Sequence, residues 1–490
     1  MNRALAVSTA ALVGSAILVL LGACRSSAPP SQRASGDSAA PPPATTVYQS
    51  EAGVQPGIAA KTPQKKQSLP PVSLERVASM LPHPRGIAWV DGKLVVVARG
   101  RHRNYGGPAR DVMDHEATLY EIDPAVREPF EPGKPGTDAT ISNMRVLAEP
   151  DPSVVHVFDR SKPPLDNWLM SRPFCTLAYD AASKNLVFCG YSGVDLAGAE
   201  GTPTFRKNAT DALYRYDLRS KKWGIVEMHR HDAVPREKQT AVISNEYYPH
   251  HDPATNPPPH GLLNGPNGCC VAGKYLYAVG KDNHTLARYD LEPLRRDPSA
   301  GPPPGEAVLG QDVDIRIGGE TKRIELSGHS AVAAHGGWLY LGTRTSSVIV
   351  RFPIRPDGDL VKPIVGELVA EMEPYSKESK RSADLWDMVL NDRGELFVSC
   401  SRDGVVWRFT PDPKAPFDGH PKRKDSPSPN KPWIDIRKLT GNDKASVSNM
   451  TFGPDGSLYF CMVMPEAGRT VPGIVMRASV GDGPPAVPAE

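Results

Sequence analysis

What this chain of 490 residues lacks narrows its chemistry first. It carries no excess of either charge: 57 Lys and Arg stand against 55 Asp and Glu, a formal net charge of +2. That balance gives no general electrostatic case for nucleic acid as a partner. There is no H-E-x-x-H and no C-x-x-C-H, so neither a zinc-protease helix nor covalent c-type haem is signalled, and no nucleotide-binding motif occurs. No segment sustains the 3.6-residue apolar period that a helix bundle or a βα architecture requires. A basic run at 421–424, PKRK, sits among Pro and Ser and reads as solvated loop.

The first long apolar run belongs to export, not to the fold. Residues 1–23 have a cationic tip at Arg3, an apolar stretch to Leu21 and small residues before Cys24, the pattern of a secretion signal. Leu21-Gly22-Ala23-Cys24 resembles the lipobox of bacterial lipoproteins, in which the cysteine is lipidated and becomes the first mature residue. That resemblance implies a protein of the cell envelope, held on membrane lipid through Cys24 and facing the periplasm or the cell exterior. More than one acyl chain is needed for stable anchoring. Residues 24–74 are rich in Pro, Ser, Ala and Thr and cannot collapse into a core, so they are expected to form a disordered tether. Residues 75–484 remain as one domain.

That domain repeats one pattern. HPRGIAWVDGKLVVVARG (83–100), SRPFCTLAYDAASKNLVFCG (171–190), NGPNGCCVAGKYLYAVG (264–280), SGHSAVAAHGGWLYLGT (327–343), DLWDMVLNDRGELFVSC (384–400) and SNMTFGPDGSLYFCM (448–462) each read as strand, turn, strand. Most are followed by a third strand such as ATLYEIDP or DALYRYDL. Three strands and a less regular fourth make a propeller blade. The expected fold is all-β, a β-propeller of six blades, with the long intervals after the first two repeats leaving room for a seventh. The intervening segments, about 101–115, 191–210, 229–263 and 411–440, should emerge as loops on the faces, where binding residues commonly sit.

Residues just before each innermost strand converge near the axis of such a ring. Nine positions before the Leu that opens the second strand stand Arg85, Asn267, Asp387 and Asn449, counted from Leu94, Leu276, Leu396 and Leu458. The same count in the fourth repeat reaches Ser330, beside His329. Amide oxygens and a carboxylate are the hard donors that calcium or another divalent metal prefers, and His329 offers a base or a softer ligand. The alternative is a polar funnel whose groups bond one another and water. Arg85 opens a further option, a guanidinium fork for an anionic substrate group.

Here the chain resembles the six-bladed superfamily of gluconolactonase-like, paraoxonase and strictosidine-synthase-like proteins. The resemblance is carried by Gly265-Pro266-Asn267-Gly268 followed by GKYLYAVGKDNHTLARYD, and by Leu385-Trp386-Asp387-Met388 before NDRGELFVSC. It implies that Asn267 and Asp387 are metal ligands. Paraoxonases follow that aspartate with asparagine where this chain has Met388, and the acidic residue of the family's first blade is replaced by His83 and Arg85 in HPRGIAW.

Three functions stay open. The first is a metal-dependent lactone or ester hydrolase, with Asn267, Asp387 and Asn449 holding the ion, His329 or another mouth residue activating water, and Arg85 on the substrate. The second is a non-enzymatic scaffold that binds a small molecule or surface protein through its loops. The third is an oxidoreductase with a histidine-bound metal, for which 13 histidines, including His250, His251 and His260, are available. Cys175 and Cys189 sit at the two ends of one hairpin, a plausible disulfide. Cys269 and Cys270 should point to opposite faces of a strand and enter different layers. Cys189, Cys400 and Cys461 recur at second-strand ends, as a packing niche would require.

Overall fold

The computed structural model describes residues 73–81, 83–98, 118–151, 172–191, 210–230, 262–263, 265–281, 283–375, 382–419, 432–463 and 473–481. The signal, Cys24, the tether up to residue 72, the segment 101–115 and the histidine-rich stretch 247–260 lie outside them, as does the side chain of Cys175 and with it the Cys175–Cys189 pairing, while Leu74, assigned to the tether, already belongs to a strand. Among the described residues the strands form six sheets, and the three α-helices are five residues each.

Each sheet starts from an inner strand: Pro84–Val90, Arg172–Asp180, Pro266–Ala272, His329–His335, Leu385–Leu390 and Ser446–Phe452. Every inner strand lies against the next, and the sixth lies against the first, so the sheets close into a propeller ring. Closure is sealed by the N-terminal strand Leu74–Leu81, which pairs antiparallel with the C-terminal strand Gly473–Ala478 and completes the sixth sheet. The fourth sheet is the largest: a hairpin at Asp312–Ile317 and Glu320–Glu325 extends its outer edge beside Gly366–Met372.

Strands buried on both faces explain the near-continuous apolar runs. In Lys93–Ala98, Leu94, Val96 and Ala98 enter the layer shared with the sixth sheet, while Val95 and Val97 enter the layer shared with the second. The adjacent cysteines obey the same alternation. Cys269 packs with Val187 and Cys189 of the second sheet, and Cys270 packs against the layer shared with the fourth. Cys189, Cys400 and Cys461 are buried, as a packing niche requires, and burial pushes the Cys400 and Cys461 thiols well above their ordinary range.

Near the axis the inner strands approach to backbone contact, which only glycine permits. A Cβ on Gly86 would stand 2.6 Å from the carbonyl carbon of Thr176, and one on Gly268 would stand 2.7 Å from the carbonyl oxygen of Ser330. Gly86→Ala should therefore destabilise the ring by about 1–3 kcal/mol, read as a lower urea midpoint. An unchanged midpoint would mean that the strands can separate at no cost.

Candidate functional site

Two local devices shape the axial end of these strands. In four of the six sheets the residue before the inner strand is left-handed: His83 (φ 51°), Gly265 (φ 63°), Gly328 (φ 72°) and Asp384 (φ 52°). His and Asp are among the few side chains that tolerate this region. Each inner strand then carries a register shift against its partner, between Pro84 and Gly86, Pro173 and Leu177, Pro266 and Gly268, His329 and Ala331, Leu385 and Asp387, and Val447 and Met450. A β-bulge re-aims the side chain it contains. The residues so placed include Arg85, Asn267, Ser330 and Trp386, with Ser448 and Asn449 together in the sixth sheet.

The nine-residue count thus lands on the bulge in the first, third, fourth and sixth sheets, the last because its bulge holds both Ser448 and Asn449, and misses it by one in the fifth, where Trp386, not Asp387, is the bulged residue. Turn length is the reason. The hairpins Asp91-Gly92, Gly273-Lys274 and Gly336-Gly337 have two-residue turns, so the opening Leu pairs five positions back, as Leu94 does with Trp89. The fifth and sixth hairpins turn through 391–395 and 453–457, and their Leu pairs six positions back, Leu396 with Leu390 and Leu458 with Phe452. A one-residue slip exchanges the two faces of a strand.

Small bulge residues stitch neighbouring sheets together. Asn267 Nδ2 donates to the Ser330 carbonyl at 2.8 Å, and Ser448 Oγ donates to the Arg85 carbonyl at 3.2 Å. Beside the fifth bulge, Asp387 Oδ2 accepts from Met450 N at 2.8 Å, and Ser399 Oγ donates to the Ser448 carbonyl at 2.9 Å. Asn267→Asp would set a carboxylate against the Ser330 carbonyl. A loss of about 1–3 kcal/mol in urea unfolding near neutral pH is expected, with recovery as the new carboxyl is protonated at lower pH.

The large bulge residues do something different. Arg85 and Trp386 belong to the first and fifth sheets, with the sixth between them, yet the Arg85 guanidinium stands 4.9 Å from the centre of the Trp386 ring. They meet across the axial mouth. Trp386 Nε1 donates to Asn449 Oδ1 at 3.3 Å, and the Asn449 amide bonds the Asp387 carboxylate. Arg344, from the turn after the second strand of the fourth sheet, stands 5.9 Å from the same indole and pairs with Asp384. Arg85, Trp386, Asn449 and Asp387 therefore form one connected set.

Within it Asp387 is the titrating group. Only 6 % of the residue is exposed, and desolvation pushes its carboxyl up to about 7, against the pull of the Met450 and Met388 N–H groups and of Asn449. His329 sits elsewhere. It is fully buried, and desolvation with the neighbouring His284 lowers it to about 3, against the opposing pull of the Thr285 and Leu326 backbone. Its ring lies 6.4 Å from that of His284, whose Nδ1 accepts from Gly328 N at 2.8 Å. The expectation of His329 as a base at the mouth meets a side chain enclosed between sheets.

The oxygen set suits a divalent ion poorly. Calcium takes six to eight oxygens, commonly several of them carboxylate. Here Asn449 Oδ1 receives the Trp386 N–H, Asp387 Oδ2 receives the Met450 N–H, and the Arg85 cation stands in the same mouth. Among the described residues, and leaving the amide oxygens of Asn267 and Asn449 aside, no group of three or more His, Cys, Asp and Glu side chains is placed to hold a metal ion.

No family description and no curated protein matches the chain. Solved propellers do align over most of it at low similarity. A 6-phosphogluconolactonase candidate from Bacteroides uniformis aligns at 12 % identity and TM-score 0.37, covering 82 % of this chain and 95 % of that one. The aldose sugar dehydrogenase of Streptomyces coelicolor in its PQQ-bound form gives 13 %, 0.39, 83 % and 98 % in the same order. A streptogramin B lyase gives 10 %, 0.34, 83 % and 98 %. Likeness at this level carries no argument about chemistry.

Proposed function

We propose that this chain is a propeller hydrolase acting on a small lactone or ester at its axial mouth, with Asp387 as general base. Each sheet is read as one blade, which makes six. The observation that carries the reading is a desolvated carboxyl poised at about 7, wired through Asn449 and Trp386 to the Arg85 guanidinium. A base with a pKa near the working pH combines a useful deprotonated fraction with real proton affinity. Asp387 takes a proton from a water as its oxygen bonds the carbonyl carbon. The charge that develops on the carbonyl oxygen would be met by the Arg85 guanidinium, already held in place over Trp386 and so able to stabilise it without reorganisation. Collapse of the intermediate breaks the bond to the ring or ester oxygen, and Asp387 returns the proton to that oxygen.

The signal sequence and the small-residue run before Cys24 support export and lipid anchoring of the whole. The test is turnover of a panel of lactones and aryl esters by the purified protein, with and without chelator, beside Asp387→Asn. Loss in the variant and indifference to chelator support the reading. Chelator sensitivity would return the site to a divalent ion. Silence across the panel would make the propeller a scaffold for a ligand or surface protein.

A further inference from the structure

We propose that Arg85 and Arg344, set around Trp386, form a recognition site for a permanent negative charge, a carboxylate or phosphate, on a small organic ligand. The inference rests on the axial reading above only for what is turned over; binding is a separate property of the same mouth.

The argument begins with the bulges. Arg85 and Trp386 are each the extra residue of a β-bulge, and they meet although their sheets are not neighbours. Both side chains are therefore aimed at the axis. Trp386 is fixed at one end by its bond to Asn449, which leaves its ring face as a rigid plate on which guanidinium groups lie. A stacked guanidinium presents its N–H groups edge-on, in the geometry that meets a planar or tetrahedral oxyanion.

Charge points the same way. Arg344 and Arg402 both approach Asp384, Arg402 at 3.9 Å, so one carboxylate is shared by two cations. Arg85 stands over the same indole that Arg344 faces. Asp387 offsets this only weakly, because its own environment disfavours ionisation. Arg85 and Trp386 are both partly solvent-exposed while the polar groups beneath them, Asn267, Ser330, Ser448 and Asn449, are buried. An arriving anion thus meets guanidinium edges above a floor whose amides and hydroxyls already serve the ring.

Isothermal titration of the full-length protein tests this, with gluconate and inorganic phosphate as probes and glucose as the neutral comparator. Wild type should bind at least one anion, more weakly at high salt, and should not bind glucose. Arg85→Gln should weaken binding by about tenfold to a hundredfold, and Arg344→Gln by a smaller factor because that guanidinium is shared with Asp384. Arg85→Lys separates the two sources: retained phosphate affinity marks a point-charge site, and loss of gluconate alone marks a carboxylate fork. Asp387→Asn should leave anion binding intact, so absent turnover with binding present removes the hydrolase reading and spares this one. Failure of both anions to bind wild type, or equal binding by Arg85→Gln, overturns the proposal. Circular dichroism checks that each variant keeps its sheet signal; if Arg85→Gln does not fold, Arg344→Gln and Trp386→Phe carry the same test.

Discussion

Asp387→Asn should lower turnover by about a hundredfold or more and, at the same time, make the protein more stable above neutral pH. The first effect follows from removing a general base, which contributes about 10²–10⁴ in rate. The second follows from linkage. Burial raises the folded-state pKa of Asp387 from 3.8 to about 7, so between those values the native chain holds a proton that the unfolded chain has released. Stability from this group is fully present below the unfolded pKa and is lost as pH rises through the folded one. The integrated loss is on the order of 4 kcal/mol at most. Asparagine preserves the acceptor for Met450 N and never ionises. Urea unfolding at several pH values should show wild type weakening between about pH 4 and 7, while the variant stays flatter over that range. Wild-type turnover should rise as pH passes about 7, where the base forms. Full activity in Asp387→Asn would end its role as base, whatever the stability data show.

Glu227→Ala should be the most damaging single change away from the mouth. Glu227 lies on the outer strand Lys222–Arg230 of the second sheet, and its Oε1 accepts from Leu262 N at 2.7 Å and Leu263 N at 2.8 Å. Its Oε2 takes the hydroxyl of buried Tyr289. Burial drives the carboxyl up to about 7 despite these three donors. Alanine strands two backbone N–H groups and a phenol, each costing about 1–3 kcal/mol, so a loss of about 3 kcal/mol or more is expected in urea unfolding. Glutamine keeps an acceptor for the two N–H groups and offers its amide to Tyr289, and should cost about 1 kcal/mol or less. Equal damage from both changes would show that shape, not hydrogen bonding, holds the segment.

How much of this could be read in the chain depended on which property each residue expressed. The hairpins were legible because strands covered on both faces need apolar side chains at nearly every position, as in Leu94 to Ala98. The fates of Cys269 and Cys270 followed from alternation alone. Trp386 was hidden by a count that assumed one turn length: the five-residue turn at 391–395 moves the bulge by one position, and nothing in the apolar pattern marks it. Asp387 was legible as chemistry but not as a shifted acid, since the shift comes from burial among packed sheets, against the pull of Met450 and Asn449, some sixty residues away. His329 drew attention by its side chain, whereas its burial is a property of how two sheets meet. Glu227 and Arg344 carried no motif, and their roles arise from contacts with distant segments.

The strand that seals the ring also sets a timetable. Leu74 pairs with Ala478, so one of the first strands made must wait for one of the last. Until then the sixth sheet lacks its outer strand, and the apolar layer between the sixth and first sheets, with Val77, Leu81 and Val475, has no complete walls. A chain that emerges N-terminus first therefore cannot lock this ring part-way through. It becomes a closed ring only after the final hairpin is in place.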